Sequence, residues 1–547
     1  MLACARVTGG RYVVQELTEQ GEIVGERREC GPGDPAGAPA DERWLWACTA
    51  DDYPVRIAAG VRVARCHDIA AVERILLGRA GAFGEPTSPA AVVARASGRP
   101  VPSAALPIEA APSLFDLTET ATSDEADPID LLRHAYLDQR RRAGPDRALG
   151  LLLAAENACA LAAAEIGAVG LPWRREVHLA ALQELLGPRP RLGGRPPRLS
   201  ALAAEIDAAF GFPVNADSAV ELRAAFRRVG FDIETTRSRV IKDLDHPAVP
   251  AVLRYKELSR LHTANGWAWL DQWVRDDRFH AEYLSGAVVS GRWATRGGGA
   301  LQIARVLRQA VVADSGYRLV VADAAQLEPR VLAAISADAA LQAVSADDDL
   351  YSGLAGDGFG GNRAAAKLAM LGAMYGQTTG EGGRLVGTLR SRYPVAMAYV
   401  DGAARAGERG DVVHSVLGRA CPPPGDYWEA VRIGRQQDAT PAERKRADRL
   451  AGDRGRFTRN FVVQGSAADW AAVWLAGLRT ALVDVPGAEL VFFQHDELIV
   501  HVPRVDADRV ASLIEAAAQA ARRMVFPGSA VATPVRPVIV KRYADAK

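Results

Sequence analysis

Val491-Phe-Phe-Gln-His-Asp-Glu-Leu-Ile-Val-His-Val502 decides how the rest of the chain reads. Two apolar runs, Leu490–Phe493 and Leu498–Val502, flank a short polar centre, the pattern of strand, tight turn and strand. The turn carries His495, Asp496 and Glu497. Two adjacent carboxylates at the tip of a buried hairpin are costly unless something positive sits there. Taken alone, the stretch reads equally as a surface hairpin with a polar turn, so a partner must be sought elsewhere in the chain.

One candidate is Leu319-Val-Val-Ala-Asp323, followed by Ala-Ala-Gln-Leu-Glu-Pro-Arg330. An apolar strand ends in a carboxylate and a helix starts at once, with Pro329 tolerated in its first turn. Asp323 reads either as a cap for that helix or as a metal ligand. Paired with Asp496 it could hold two Mg²⁺ ions, phosphate oxygens and water completing the coordination, the arrangement that clamps an in-line phosphoryl displacement.

Two helical stretches supply the rest. In Asn362–Gly380, Arg363, Lys367, Leu371 and Tyr375 are four apart. Each step drifts about 40° round a helix, so the four share one broad face. Two cations, an apolar residue and an aromatic suit a triphosphate with a base stacked beyond it; a plain amphipathic surface helix is the alternative. In Arg456–Asp469, Arg456, Asn460 and Gln464 again step by four. That row of hydrogen-bonding side chains suits a minor groove, or else a solvated helix face.

Together these motifs resemble the polymerase region of the bacterial DNA polymerase I family, the A-family DNA polymerases, over roughly residues 145–547. The resemblance implies that Asp323 and Asp496 are the metal-binding catalytic aspartates, with Glu497 and Lys367 in the catalytic set. It places Gln326, Glu328, Arg363, Lys367, Leu371 and Tyr375 around the incoming nucleotide, Glu328 as the gate against a ribose 2′-OH. Arg292, Gln302, Arg330, Arg456, Asn460, Gln464 and His495 are implied DNA contacts. Implied cofactors are two Mg²⁺ ions, with Mn²⁺ able to substitute; implied partners are primer–template DNA and deoxynucleoside triphosphates. Four positions depart from the family pattern. Leu371 stands where Phe or Tyr is usual, Ala324 and Ala325 replace larger residues, and Tyr351 replaces a histidine.

The expected fold is α+β. A right-hand polymerase of palm, fingers and thumb follows an α/β ribonuclease H-like, exonuclease-type domain. The expected layout puts the exonuclease-like domain at 1–140, with an acidic Pro/Ala-rich linker at 84–128, and a helical thumb at 141–290. Palm and fingers take 291–547, the fingers at about 335–420. Strands are expected at Arg11–Glu16 and Trp44–Cys48, a helix at Ile69–Leu77, and a long helix from Pro250 to about Val274. The 3′–5′ exonuclease chemistry of such a domain needs about four carboxylates, including an Asp-x-Glu on its first strand. Residues 1–20 contain none. Asp138 could be the last of the set and Asp52 fits the middle position poorly, so loss of proofreading is expected. Rival readings are an active exonuclease/polymerase, a non-catalytic DNA-binding scaffold, and an RNA polymerase, which Glu328 opposes.

Composition agrees without adding identity. Apolar residues make up 49% and charged residues 24%, as in ordinary globular proteins. The formal net charge is zero, but residues 1–130 hold 20 acidic and 12 basic residues, leaving a basic excess downstream that is nearly all arginine. The balance permits a nucleic-acid partner. Six cysteines without CxxC spacing read as core residues of a reducing cytosol. The start has no basic-then-apolar signal pattern, and Leu149–Ile166 is interrupted by Glu156 and Asn157, so no membrane partner is expected. A cytoplasmic monomer is expected. Leu114 and Phe115, in Pro-Ser-Leu-Phe-Asp-Leu, resemble a sliding-clamp docking peptide, a match that chance also produces.

Overall fold

In the amino-terminal part, residues alternate between two apolar clusters with a period of two. Ala3, Ala5, Val13, Leu17 and Leu45 pack into one core; Leu2, Cys4, Tyr12, Val14, Trp44 and Trp46 pack into another. That alternation is what a sheet covered on both faces requires. In the computed structural model, which describes residues 1–7, 11–31, 41–102, 127–191, 193–296, 303–346, 348–376 and 380–546, the sheet is five-stranded. It runs β1 (Leu2–Arg6), β2 (Tyr12–Leu17), β3 (Ile23–Cys30), β4 (Arg43–Trp46) and β5 (Arg65–Asp68), in spatial order β3-β2-β1-β4-β5. β1–β2–β3 are antiparallel; β4 joins β1, and β5 joins β4, in parallel. This is the expected α/β domain.

Helix α1 (Ile69–Arg79) is capped by the Asp68 carboxylate, which accepts from the Ala71 N–H. The expected linker needs correcting where the structure describes it. Helix α2 (Pro89–Ala96) occupies part of it, started by Ser88, whose side chain accepts from the Ala91 N–H, and by Pro89 in the first turn. Val92 is buried in the first sheet core, so a composition that reads as flexible is held by packing. Leu114 and Phe115 lie outside the described residues. Helix α3 (Pro128–Ala143) runs past the expected boundary at 140, and α4 (Arg147–Val169) packs beside the sheet domain and along the carboxy-terminal half of the chain. By length and composition α4 could cross a membrane, but 61% of its apolar window is buried inside the protein. It is a core helix here.

The helical region that follows contains α5 (Pro197–Phe210), α6 (Ala219–Arg228) and α7 (Val249–Asn265). The helix expected to continue to Val274 breaks at Gly266, whose backbone is extended at φ −74°, ψ −167°. A Cβ there would sit 2.2 Å from the His262 carbonyl oxygen, and a separate turn of helix resumes at Trp267.

The last region centres on a four-stranded antiparallel sheet. Its strands are β6 (Tyr317–Asp323), β7 (Glu489–Gln494), β8 (Glu497–Pro503) and β9 (Val538–Val540), in order β7-β8-β6-β9. Between β6 and β7 run α8 (Leu327–Ser336), α9 (Leu350–Gly358), α10 (Arg363–Tyr375), α11 (Gly380–Arg392), α12 (Pro394–Arg409) and α13 (Pro441–Ala481). With 41 residues, α13 extends about 60 Å at 1.5 Å per residue. A full capping box starts it: Thr440 Oγ1 accepts from the Glu443 N–H, and the Glu443 carboxylate accepts from the Thr440 N–H. Helix α14 (Ala507–Val525) packs against α13 and the sheet.

Candidate active site

The hairpin β7–β8 turns on two residues. Gln494 pairs with Glu497, leaving His495 and Asp496 at the tip. The Asp496 N–H donates back to the Gln494 carbonyl at 2.7 Å, and His495 adopts φ +58°. A non-glycine residue in this tight γ-turn is strained by about 1–3 kcal/mol. β6 lies beside β8 with Asp323 opposite Glu497, and the Ala324 N–H donates to the Asp496 carbonyl at 2.9 Å. Two carboxylates 173 positions apart thus meet at neighbouring strand ends. Burial first, then the Asp323 charge, raises the Asp496 carboxyl from its usual value to about 6; Arg292 opposes the shift. A partly buried like-charge pair of hard oxygen donors is what a divalent cation relieves, so these two carboxylates fit such an ion. Glu497 is buried and accepts from the Tyr543 hydroxyl at 2.8 Å, which fixes β8 under the turn.

Arg292 and Glu328 form the wall of the cleft. Arg292 Nη2 donates to Glu328 Oε1 at 2.5 Å, and the Tyr375 hydroxyl donates to Glu328 Oε2 at 3.0 Å. Glu328 therefore ties the end of α10 to the cleft holding Asp496, His495 and Phe493. The edge of Trp293 packs on Phe493, ring centroids 4.7 Å apart. Burial and nearby Arg292 lower the His495 imidazole to about 4, and its Nδ1 is buried without a partner.

Helix α10 presents the expected face. Asn362 caps it, its side chain accepting from the Ala365 N–H at 3.0 Å; Arg363, Lys367 and Tyr375 are exposed and Leu371 is partly so. Arg363 is not idle. Its Nε donates to Asp349 Oδ2 at 2.6 Å, and Gln326 Nε2 and Ser352 Oγ donate to the same carboxylate. These bonds, Arg363 foremost, hold the Asp349 carboxyl well below the ordinary carboxylate range. Tyr351 lies under both cations, 5.7 Å from Arg363 Cζ and 5.9 Å from Lys367 Nζ. Gln326, at φ +54°, also accepts from the Leu350 N–H at 2.8 Å, so it pins the start of α9. Nothing in the sequence pattern singled out Asp349, although its place immediately before the apolar start of α9 is a cap signal.

The row on α13 stands beside this helix. Arg456, Asn460 and Gln464 retain exposure, with Asn460 Oδ1 buried and unpartnered. Gly376, at φ +75°, ends α10 so close to α13 that a Cβ would lie 2.8 Å from Arg456 Cγ. Arg459 reaches from α13 to the Ala373 carbonyl and to Asp401.

One expected DNA contact is corrected. Arg330 is fully buried and donates to the carbonyls of Ala325, Ser345 (2.6 Å) and Asp348 (3.0 Å). It braces the loops behind α8 and cannot touch DNA. Gln302 lies outside the described residues. The sequence reading missed the buried cluster of Arg419, Glu156 and Asp469 beneath the cleft, because its members come from three distant segments.

A family description, DNA polymerase family A, matches residues 197–536. Thermostable DNA polymerase I of Thermus thermophilus is 28% identical over 349 residues, covering 55% of this chain and 39% of that protein. DNA polymerase I of Deinococcus radiodurans is 28% identical over 291 residues, covering 49% and 29%. The chain thus spans two fifths or less of the length of these relatives. The solved POL domain of Pol1 from M. smegmatis, in complex with DNA primer-template and dNTP, superposes with a TM-score of 0.73. It covers 99% of this chain and 96% of that one at 16% identity, a likeness of fold.

Proposed function

The chain belongs to DNA polymerase family A, and from that premise we propose that it extends a DNA primer on a template with deoxynucleoside triphosphates, in repair or replication. The observation that carries the reading is the meeting of Asp323 and Asp496 at adjacent strand ends, in a cleft that Glu328 links through Tyr375 to a helix whose exposed residues include Arg363 and Lys367. Asp323 and Asp496 would hold the divalent metal. When bound, Mg²⁺, or Mn²⁺ in its place, supplies the charge that favours the ionised primer 3′-hydroxyl and offsets the phosphates.

The protein's own groups do the rest. Lys367 and Arg363 bind the triphosphate and stabilise its developing charge; Arg363 must first exchange the Asp349 carboxylate for phosphate oxygens. Leu371 and Tyr375 shape the base slot. Glu328, gripped by Arg292 and Tyr375, fills the space a ribose 2′-OH would need. Arg292 and His495 orient the primer end. Arg456, Asn460 and Gln464 follow the minor groove, tying correct pairing to the position of α10.

Proofreading is absent in this reading. Asp138, the best remaining exonuclease carboxylate, is already held by Arg141 and Arg142, the latter through Nε at 2.7 Å. The strand that should carry Asp-x-Glu reads Leu-Ala-Cys-Ala-Arg. A cytoplasmic monomer is part of the same proposal. The test is extension of a labelled primer with deoxynucleotides and Mg²⁺. Wild type should extend and Asp496→Ala should not; extension by neither removes the polymerase reading. Shortening of the labelled strand without nucleotides, abolished by Asp138→Ala, would restore the exonuclease.

A further inference from the structure

Upstream of the cleft, α13 carries a surface that the proposed chemistry does not use. Residues 441–456 include six basic and three acidic side chains, and Arg444, Lys445, Arg446 and Arg449 are exposed. At 100° per residue, Lys445 and Arg449 lie within about 20° of Arg456 round the helix axis. They therefore prolong the Arg456–Asn460–Gln464 row by nearly three turns.

Beside this stripe opens a cavity of about 430 Å³, lined by Pro423, Tyr427, Leu450, Asp453, Arg454 and Phe457. Tyr427 is 41% exposed and Phe457 is half-buried. Behind them Arg454 is buried, its Cζ 5.0 Å from the Phe457 ring centroid. Its Nη2 donates to the Pro422 carbonyl at 2.6 Å and meets Cys421 Sγ at 3.2 Å, while its Nε is buried without a partner. Two aromatic rings, a buried cation with a spare donor and an adjoining basic stripe are the components of a single-strand nucleic-acid site. Bases stack on the rings there and the backbone follows the charge. A protein ligand would not need the stripe to be collinear with the minor-groove row.

Phe457 precedes Ala468, which lines the catalytic cleft, by 11 residues, about 16 Å along the helix. At about 3.4 Å per stacked nucleotide this is some five positions away. We infer that the slot between Tyr427 and Phe457 receives an unpaired base of the template's single-stranded overhang, with flanking phosphates on Lys445 and Arg449. The inference rests on the polymerase reading, but its test does not need catalysis.

Fluorescence anisotropy without nucleotides compares labelled primer–templates carrying a ten-nucleotide template overhang with blunt duplexes. The overhang-to-blunt affinity ratio should fall about tenfold in Tyr427→Ala, the scale of one lost base–aromatic stack. Phe457→Leu, which keeps the apolar packing, should lower it similarly, and Tyr427→Trp should retain it. The double variant Lys445→Gln/Arg449→Gln should flatten the salt dependence of log affinity by about 1.4, as expected for two lost single-strand phosphate contacts. 2-Aminopurine stepped along the overhang should be quenched at one position in wild type and not in Tyr427→Ala. Equal ratios in all variants with no position-specific quench overturn the inference. Primer extension with no overhang preference removes only this site; position-specific quenching with no extension removes only the polymerase reading.

Discussion

Replacing Arg419 by Met tests whether a buried charge cluster sets the floor of the cleft. Arg419 Nη2 meets Glu156 Oε1 at 2.5 Å and its Nε meets Asp469 Oδ1 at 3.3 Å. All three side chains are at least nine-tenths buried. The cluster joins α4, the loop at 415–419 and α13. A Cβ on Gly291 would lie 2.5 Å from Arg419 Nε, so the guanidinium also seats the residue before Arg292. Asp469 is partly satisfied by the Leu417 N–H at 3.2 Å, but Glu156 would lose its cation. Breaking a buried ion pair by removing one partner costs about 3–5 kcal/mol. At roughly 1 °C per kcal/mol for a chain of this length, that is a Tm loss of about 3–4 °C. The pH dependence carries the mechanism. Burial raises the Asp469 carboxyl above its ordinary value and Arg419 opposes that shift; without Arg419 the folded chain would bind more protons than the unfolded one, and stability would recover as pH falls from 8 towards 5. Adding Glu156→Gln and Asp469→Asn should return much of the loss. Urea unfolding of the three proteins at pH 8, 6.5 and 5 measures this. A loss under about 1 kcal/mol, or one that deepens on acidification, refutes the account.

Three further perturbations read other parts of the molecule. Glu328→Ala should raise the ribonucleotide-to-deoxynucleotide incorporation ratio on the order of 10²-fold, the discrimination one misfitting group supports; an unchanged ratio in single-turnover extension removes the gate. His178 is fully buried, its Nδ1 accepting from Trp173 Nε1–H at 3.2 Å and its Nε2 donating to the Asn265 carbonyl at 2.9 Å, and burial lowers its pKa to about 4. The unfolded imidazole takes a proton near 6.5 and the folded one near 4, so this stability is present above about 6.5 and falls by about 2 kcal/mol at pH 5. His178→Gln should flatten the pH 7-to-5 slope in urea melts by that amount, and an unchanged slope contradicts it. Thr440→Ala should cost about 1 kcal/mol by removing the capping box of α13, seen as faster amide exchange confined to its first turns; protection equal to wild type there would show that packing alone holds them.

Local rules made the centre of this protein legible in its sequence. The alternation around His495–Asp496 fixes a hairpin because a strand's side chains repeat every two residues and only a short polar tip remains. The four-residue steps Arg363–Tyr375 and Arg456–Gln464 fix helix faces because 3.6 residues make a turn. What the tertiary structure alone decided depends on burial and on pairs far apart in the chain. Arg330 looks like another cation beside the site, yet it is buried and spent on backbone carbonyls, because an exposed and a buried arginine are the same letter until neighbours are placed. Asp349 is a cap by position, and only the approach of α10 makes it the counter-ion of Arg363. The Glu156–Arg419 pair, 263 residues apart, has no local signature at all. Charge pairing across such a span is fixed by how helices pack, and no periodicity along the chain records it.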